Sequence, residues 1–170
     1  KNEKRYNCLM KALYLHGYKS KPHTDRISIL ESAFEKVYAP LIDWDDNRNG
    51  LFEDICSFVL DNDITHVIGF SMGGQMAFFV AMCCNIECIC FNPAFGYKFD
   101  DFGFTWNENF DNRINVILGL KDYVIDYKST IDFLSDNSDK LLNSDIHTEL
   151  FNIGHEVPMN VFSSVLDSYN

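Results

Sequence analysis

At 170 residues, 46% of them hydrophobic, the chain can bury one core but is too short for two ordinary domains, so one domain over 1–170 is expected. A formal net charge of -11 repels phosphate backbones and anionic lipid surfaces, and no segment reads as a basic recognition helix, which argues against a nucleic-acid partner. No run approaches the roughly 20 apolar residues of a membrane span, and Lys1-Asn2-Glu3-Lys4-Arg5 is not followed by a signal-peptide pattern, so a cytoplasmic location is expected; residue 1 is not Met, which leaves an earlier segment open.

Apolar runs of strand length alternate with segments of helical period, the pattern of βαβ units. The fold class expected is therefore α/β, a mostly parallel sheet of about six strands with helices on both faces. The first strand is Ala12-Leu13-Tyr14-Leu15, stopped by His16-Gly17. A helix follows, capped by Thr24 or Asp25, with Ile27, Leu30 and Phe34 on one face. A short strand around 37–42 precedes the polar break 45–50, and the next helix carries Leu51, Phe52, Ile55, Phe58 and Val59 until Asp61-Asn62-Asp63 ends it.

The third strand, 65–70, runs straight into Ser71-Met72-Gly73-Gly74 and then into a helix from Gln75 to about Cys84. That helix is apolar all round and should be buried. Strands at 88–91, 114–118 and about 149–153 complete the sheet, with helices around 127–134 and 158–166, where Pro158 suits a first turn. The six cysteines, Cys8, Cys56, Cys83, Cys84, Cys88 and Cys90, show no C-x-x-C spacing and lie mostly in apolar runs. Reduced, buried thiols acting as small hydrophobes are expected, without the spacing of a metal site.

Gly69-Phe70-Ser71-Met72-Gly73 satisfies G-x-S-x-G between a strand and a helix, the context in which that motif presents a nucleophilic serine. Small residues are required because the turn is tight. A serine hydroxyl needs a base, usually a histidine held in one tautomer by a carboxylate, and with this motif the chain order is serine, acid, histidine. Only His147 and His155 follow Ser71; His155 lies just past the last strand, whereas His147 enters that strand from the wrong end. Asp122, after the fifth strand, is the acid expected, with Asp126 as rival and Asp100 and Asp101 more distant ones. The backbone N–H groups of Met72 and Tyr18 are the expected oxyanion donors. A histidine base implies that the rate climbs with pH as the imidazole loses its proton.

With these parts assembled, the chain resembles the α/β-hydrolase superfamily over nearly its whole length. Leu13-Tyr14-Leu15-His16-Gly17-Tyr18-Lys19-Ser20-Lys21-Pro22, Gly69-Phe70-Ser71-Met72-Gly73-Gly74 and Ile153-Gly154-His155 make it similar to the small YqiA-type (UPF0227) esterases. The fold expected is a minimal α/β-hydrolase, since the chain lacks the two leading strands and the inserted cap domain common in larger relatives. The resemblance implies hydrolysis of small-molecule acyl esters or thioesters without metal or cofactor. An uncapped site implies a shallow pocket.

Gly17, Phe102 and Trp106 are the expected substrate contacts, the last two in the aromatic stretch 95–106, which forms either a flap over the acyl pocket or part of the core. Lys19, Lys21, Lys98, Lys121 and Lys128 fall on the same edge and would favour an anionic substrate. A binding protein on a retired hydrolase scaffold, an acyltransferase and a peptidase remain as alternatives at this point.

Overall fold

The computed structural model of the chain describes residues 9–45, 50–97 and 104–168. Its elements, in order, are β1 (Lys11–Leu15), α1 (Thr24–Ala33), β2 (Lys36–Tyr38), α2 (Leu51–Asp61), β3 (His66–Phe70), α3 (Met72–Cys84), β4 (Glu87–Phe91), β5 (Arg113–Gly119), α4 (Tyr127–Asp136), β6 (Asp145–Phe151) and α5 (Met159–Asp167). The strands form one sheet in the order β2-β1-β3-β4-β5-β6, and every neighbouring pair is parallel.

The central strands are buried on both faces, which is why β3 and β4 read as unbroken apolar runs. On one face α2, α3 and α4 cover a core built around Phe78, Val80, Met82, Val116 and Leu118. On the other, α1 and α5 pack Leu30, Phe162 and Val165 over Tyr14, Ile68, Phe91 and Ile117. Among the described residues no helix is inserted between β4 and β5, and no helix is long and apolar enough to cross a membrane.

Five of the differences from the sequence-based expectation bear on how the elements begin and end. β2 stops at Tyr38, ahead of Pro40, which has no N–H for a ladder. α1 is preceded by His23, which makes no side-chain cap bond, so neither Thr24 nor Asp25 caps it. α3 starts at Met72, taking Gly73 and Gly74 into the helix. β6 begins at Asp145, because an exposed edge strand needs no apolar run to mark its start. Pro158 stands at the N-cap of α5, one position outside the first turn.

β1 and β3 are neighbours, yet the chain leaves β1 towards β2 and leaves β3 towards β4. The direction of winding therefore reverses between them, and a crevice opens at their carboxyl ends, where sheets of this kind carry their sites. Gly17 and Ser71, at those two ends, are thereby set face to face.

Candidate active site

Ser71 joins β3 to α3 with φ 55° and ψ -116°, a backbone conformation that a β-carbon disfavours. The turn is held from three sides. Ser71 N–H donates to the Phe91 carbonyl at 2.9 Å, and the Ser71 carbonyl accepts from the N–H groups of Gln75 and Ala94, each at 3.0 Å. The two glycines of the motif are obligatory for close approach: a β-carbon on Gly69 would lie 2.1 Å from the Gly73 carbonyl oxygen, and one on Gly73 would lie 2.2 Å from that of Leu15. The result is a hydroxyl raised at the first turn of α3, whose leading N–H groups have no intrahelical partner.

Asp122 lies just past β5 and His155 just past β6. The His155 Nδ1 meets the Asp122 Oδ2 at 2.7 Å, with the carboxylate fully buried and the imidazole 22% exposed. Because a carboxylate accepts, Nδ1 carries the proton and Nε2 is left as the lone-pair nitrogen. The other carboxylate oxygen accepts from Val124 N–H at 2.9 Å and Ile125 N–H at 2.8 Å, which anchors it at the loop's start. Asp126, the rival acid, is spent on capping α4, where it accepts from Lys128 N–H at 3.0 Å. His147 sits in the amino-terminal part of β6, bonded to Asp145 at 2.7 Å, far along the strand from the site edge. Asp100 and Asp101 lie outside the described residues.

Ser71 and His155 together line two cavities. The larger, about 530 Å³, has walls of Met72, Ala94, Tyr97, Val124 and Ile125 and falls within the roughly 300–1,000 Å³ of small-molecule sites. Tyr97 and Val124, both exposed, form its rim. The smaller, about 110 Å³, is polar and includes Gly17, Ser20, His23, Arg26 and Glu156. Among the described residues, none of the lysines expected at this edge (Lys19, Lys21, Lys121 and Lys128) lines either cavity; a cation that does is Arg26, buried with its guanidinium 3.8 Å from the Phe70 ring centre and 3.8 Å from Glu156.

Tyr18 borders both cavities, and its hydroxyl donates to Asp45 at 3.1 Å. Gly17 is packed so closely on the serine that a β-carbon there would lie 3.3 Å from the Ser71 Cβ. Trp106 is not a wall of either cavity: it packs with Phe104 and with Phe78 and Phe133 in the core. Phe95 stacks on Phe133 at 4.0 Å, so the described parts of the aromatic stretch are core, apart from the Tyr97 rim. Phe102, like Lys98, falls outside the described residues.

Two supporting residues escaped the sequence reading. Asn92, at the end of β4 with φ 44°, accepts from Gly119 N–H at 2.7 Å and donates to the carbonyls of Gly154 at 3.1 Å and His155 at 2.9 Å. One buried amide thus ties the ends of β4 and β5 to the His155 loop. Nothing in Asn92-Pro93 announces this, since all three partners are distant in sequence. Asn92→Asp removes both donors and sets a carboxylate against two carbonyls, so stability should fall by about 1–3 kcal/mol in urea denaturation; an unchanged midpoint would refute the clamp.

His16 is the second. Its Nε2 accepts from Ile42 N–H at 2.8 Å, so the ring is neutral with its proton on Nδ1, which donates to the Gly17 carbonyl at 2.8 Å. Burial, partly opposed by the Gly17 bond and aided by His23, pushes its pKa below the ordinary 6.5. The unfolded chain then binds a proton that the folded chain refuses. His16 contributes its full stability above pH 6.5 and progressively loses it as the pH falls below that value. Melting temperatures between pH 7.5 and 5.5 should decline more steeply for wild type than for His16→Gln; equal slopes would contradict this.

A family model described as an uncharacterised protein family, UPF0227, matches residues 11–103 of the 170. The match spans Gly17 and Ser71 and stops before Asp122 and His155. No curated protein matches the chain with significance. Among solved structures, a Xanthomonas campestris pv. campestris protein assigned to the α/β superfamily of hydrolases is 16% identical, with a TM-score of 0.69 over 94% of this chain and 98% of that one. A Bacillus cereus carboxylesterase is 14% identical, with a TM-score of 0.67 over 95% and 87%. Arabidopsis thaliana SOBER1 is 9% identical, with a TM-score of 0.65 over 93% and 96%. At such identities the likeness is one of fold, and the fold is that of a minimal α/β-hydrolase.

Proposed function

The chain belongs to the uncharacterised protein family UPF0227, and on that premise we propose that it is a serine hydrolase cleaving carboxylic esters or thioesters through an acyl-enzyme. The observation that carries this reading is the strained Ser71 turn facing the same cavity as an imidazole that Asp122 holds at 2.7 Å. A strained backbone conformation persists only where its surroundings enforce it, and it is most often found where a side chain must be presented for chemistry.

In the mechanism, the Ser71 hydroxyl attacks the acyl carbonyl while the His155 Nε2 takes its proton. Charge on the carbonyl oxygen is received by the Met72 N–H, in the positively polarised first turn of α3, and by the Tyr18 N–H from the loop after β1. The imidazolium returns the proton to the departing alcohol or thiol. Water, deprotonated by the same nitrogen, then releases the acid and restores Ser71. Asp122 keeps the proton on Nδ1 throughout and stabilises the imidazolium. The apolar walls at Met72, Ala94 and Ile125 suit an acyl chain better than a sugar or a peptide backbone, whose polar groups would find no partners there.

Fluorophosphonate labelling of the full chain, followed by mapping of the adduct, tests the proposal. Phosphonylation of Ser71 is the expected result. A folded chain that stays unlabelled overturns it in favour of a binding protein on the same scaffold.

A further inference from the structure

We propose that Cys56, Cys83 and Cys84 form a binding site for one soft d10 metal cation, zinc(II) or copper(I), at the end of α3 remote from Ser71. The helix rise of about 1.5 Å per residue puts the trio roughly 18 Å along α3 from the serine. The site is independent of the proposed hydrolase.

The geometry comes from two packed helices. Cys56 lies in α2, and Cys83 and Cys84 are the last two residues of α3. Adjacent residues on a helix point about 100° apart, so two neighbouring thiols converge only by leaning towards something in front of the helix. Cys56 stands there: the three sulfurs all lie within 4.8 Å of one another. An ion bound in the plane of three thiolates at about 2.3 Å would set them about 4.0 Å apart. The trio therefore closes on an ion by thiol rotation and shifts below about 1 Å.

Chemistry and access agree with this. Three thiolates select thiophilic ions such as copper(I), content with three ligands, or zinc(II), which takes water as its fourth. Cys56 is buried, Cys84 half-buried and Cys83 exposed, so the site has a floor and an entrance. The Cys84 thiol already donates to the Cys56 carbonyl at 3.8 Å. The carboxyl end of α3 adds the negative end of a helix dipole, which favours a cation.

The second thiol pair makes the contrast. Cys88 and Cys90 have sulfurs 3.1 Å apart but are wholly buried in β4, away from any entrance. The trio has no C-x-x-C signature because its members come from two helices, Cys84 lying 28 positions after Cys56. On coordination each protonated thiol gives its proton to solvent, so zinc(II) and three thiols yield a tris-thiolate with charge -1 and three protons.

The test uses the reduced, metal-free full chain. Zinc(II) and, anaerobically, copper(I) are titrated in competition with chromogenic chelators, and cobalt(II) reports thiolate ligation through its charge-transfer band. One ion per chain is expected. Affinity should fall by more than roughly 100-fold in Cys56→Ser, Cys83→Ser and Cys84→Ser, beyond what loss of an outer supporting group causes, and should be unchanged in Cys90→Ser. Cys83→Ser alters an exposed side chain, so it keeps the test decisive should Cys56→Ser fail to fold. Failure of both metals to compete, equal affinity in Cys83→Ser, or loss of two hydrogens by a disulfide in place of metal uptake would overturn the proposal.

Discussion

Replacing Ser71 by alanine is expected to lower ester turnover by a factor on the order of 10⁴ to 10⁶, to the residual rate that binding and oxyanion donors alone provide. The variant should keep its fold, because alanine occupies the same strained conformation and no side-chain cap bond of α3 is lost. Ser71→Gly separates chemistry from structure more sharply. Glycine accepts φ 55° and ψ -116° without the clash of a β-carbon, so this variant should be equally inactive yet more stable by about 1 kcal/mol, the relieved strain exceeding the added entropy of the unfolded chain. Turnover of a short-chain ester and a urea midpoint measure both quantities. Residual activity within tenfold of wild type in either variant would remove Ser71 from the mechanism.

The same turn shows how far the sequence could be read and where reading stopped. Gly69 is a local necessity, because its missing β-carbon is demanded by the backbone of Gly73 four residues on, so the motif could be recognised without tertiary knowledge. The buried strands were legible for a similar reason, since a strand covered on both faces is a continuous apolar run. β6 was not, at its amino end, because Asp145, His147 and Glu149 face solvent and carry no hydrophobic signal. Gly73 and Gly74 looked like loop residues because glycine is a poor helix former. They are helical because α3 packs closely on the strand ends there, Gly73 against Leu15 of β1 and Gly74 against Gly69 of β3 and Phe91 of β4, contacts invisible in the local pattern.

Asn92 and the cysteine trio failed to declare themselves on the same ground. An Asn-Pro pair reads as a turn, and its three hydrogen bonds go to Gly119, Gly154 and His155 on later elements. The cysteines read as core because each sits in an apolar run, and only the packing of α2 on α3 brings their sulfurs together. Trp106 erred in the opposite direction. An aromatic in a loop at the site-bearing edge suggested a substrate contact, but Phe78 and Phe133 offer it a larger apolar surface beneath the loop. Local constraints were thus readable one residue at a time, whereas partners drawn from separate elements were readable only where a motif fixes their chain order, as for Asp122 and His155.

Asp122→Asn is expected to lower turnover by about 10⁴-fold while leaving the fold intact, and the reason lies in which way the new amide must face. One carboxylate oxygen of Asp122 accepts from the N–H groups of Val124 and Ile125, at 2.9 and 2.8 Å. An asparagine keeps those bonds only by placing its carbonyl oxygen there, which turns its NH2 towards His155. Nδ1 must then become the acceptor at the 2.7 Å contact, and the imidazole proton moves to Nε2. The nitrogen that should take the Ser71 proton would then already hold one. The opposite orientation sets an NH2 against two buried N–H groups and is worse. Nitrogen chemical shifts of the imidazole should report the switched tautomer directly. Asp126→Asn provides the control, because that residue caps α4 and its amide can still accept from Lys128 N–H; turnover should stay within a few-fold of wild type. Comparable losses in the two variants, or an Asp122→Asn enzyme with near-normal turnover and an unchanged tautomer, would mean that the carboxylate orienting His155 lies elsewhere.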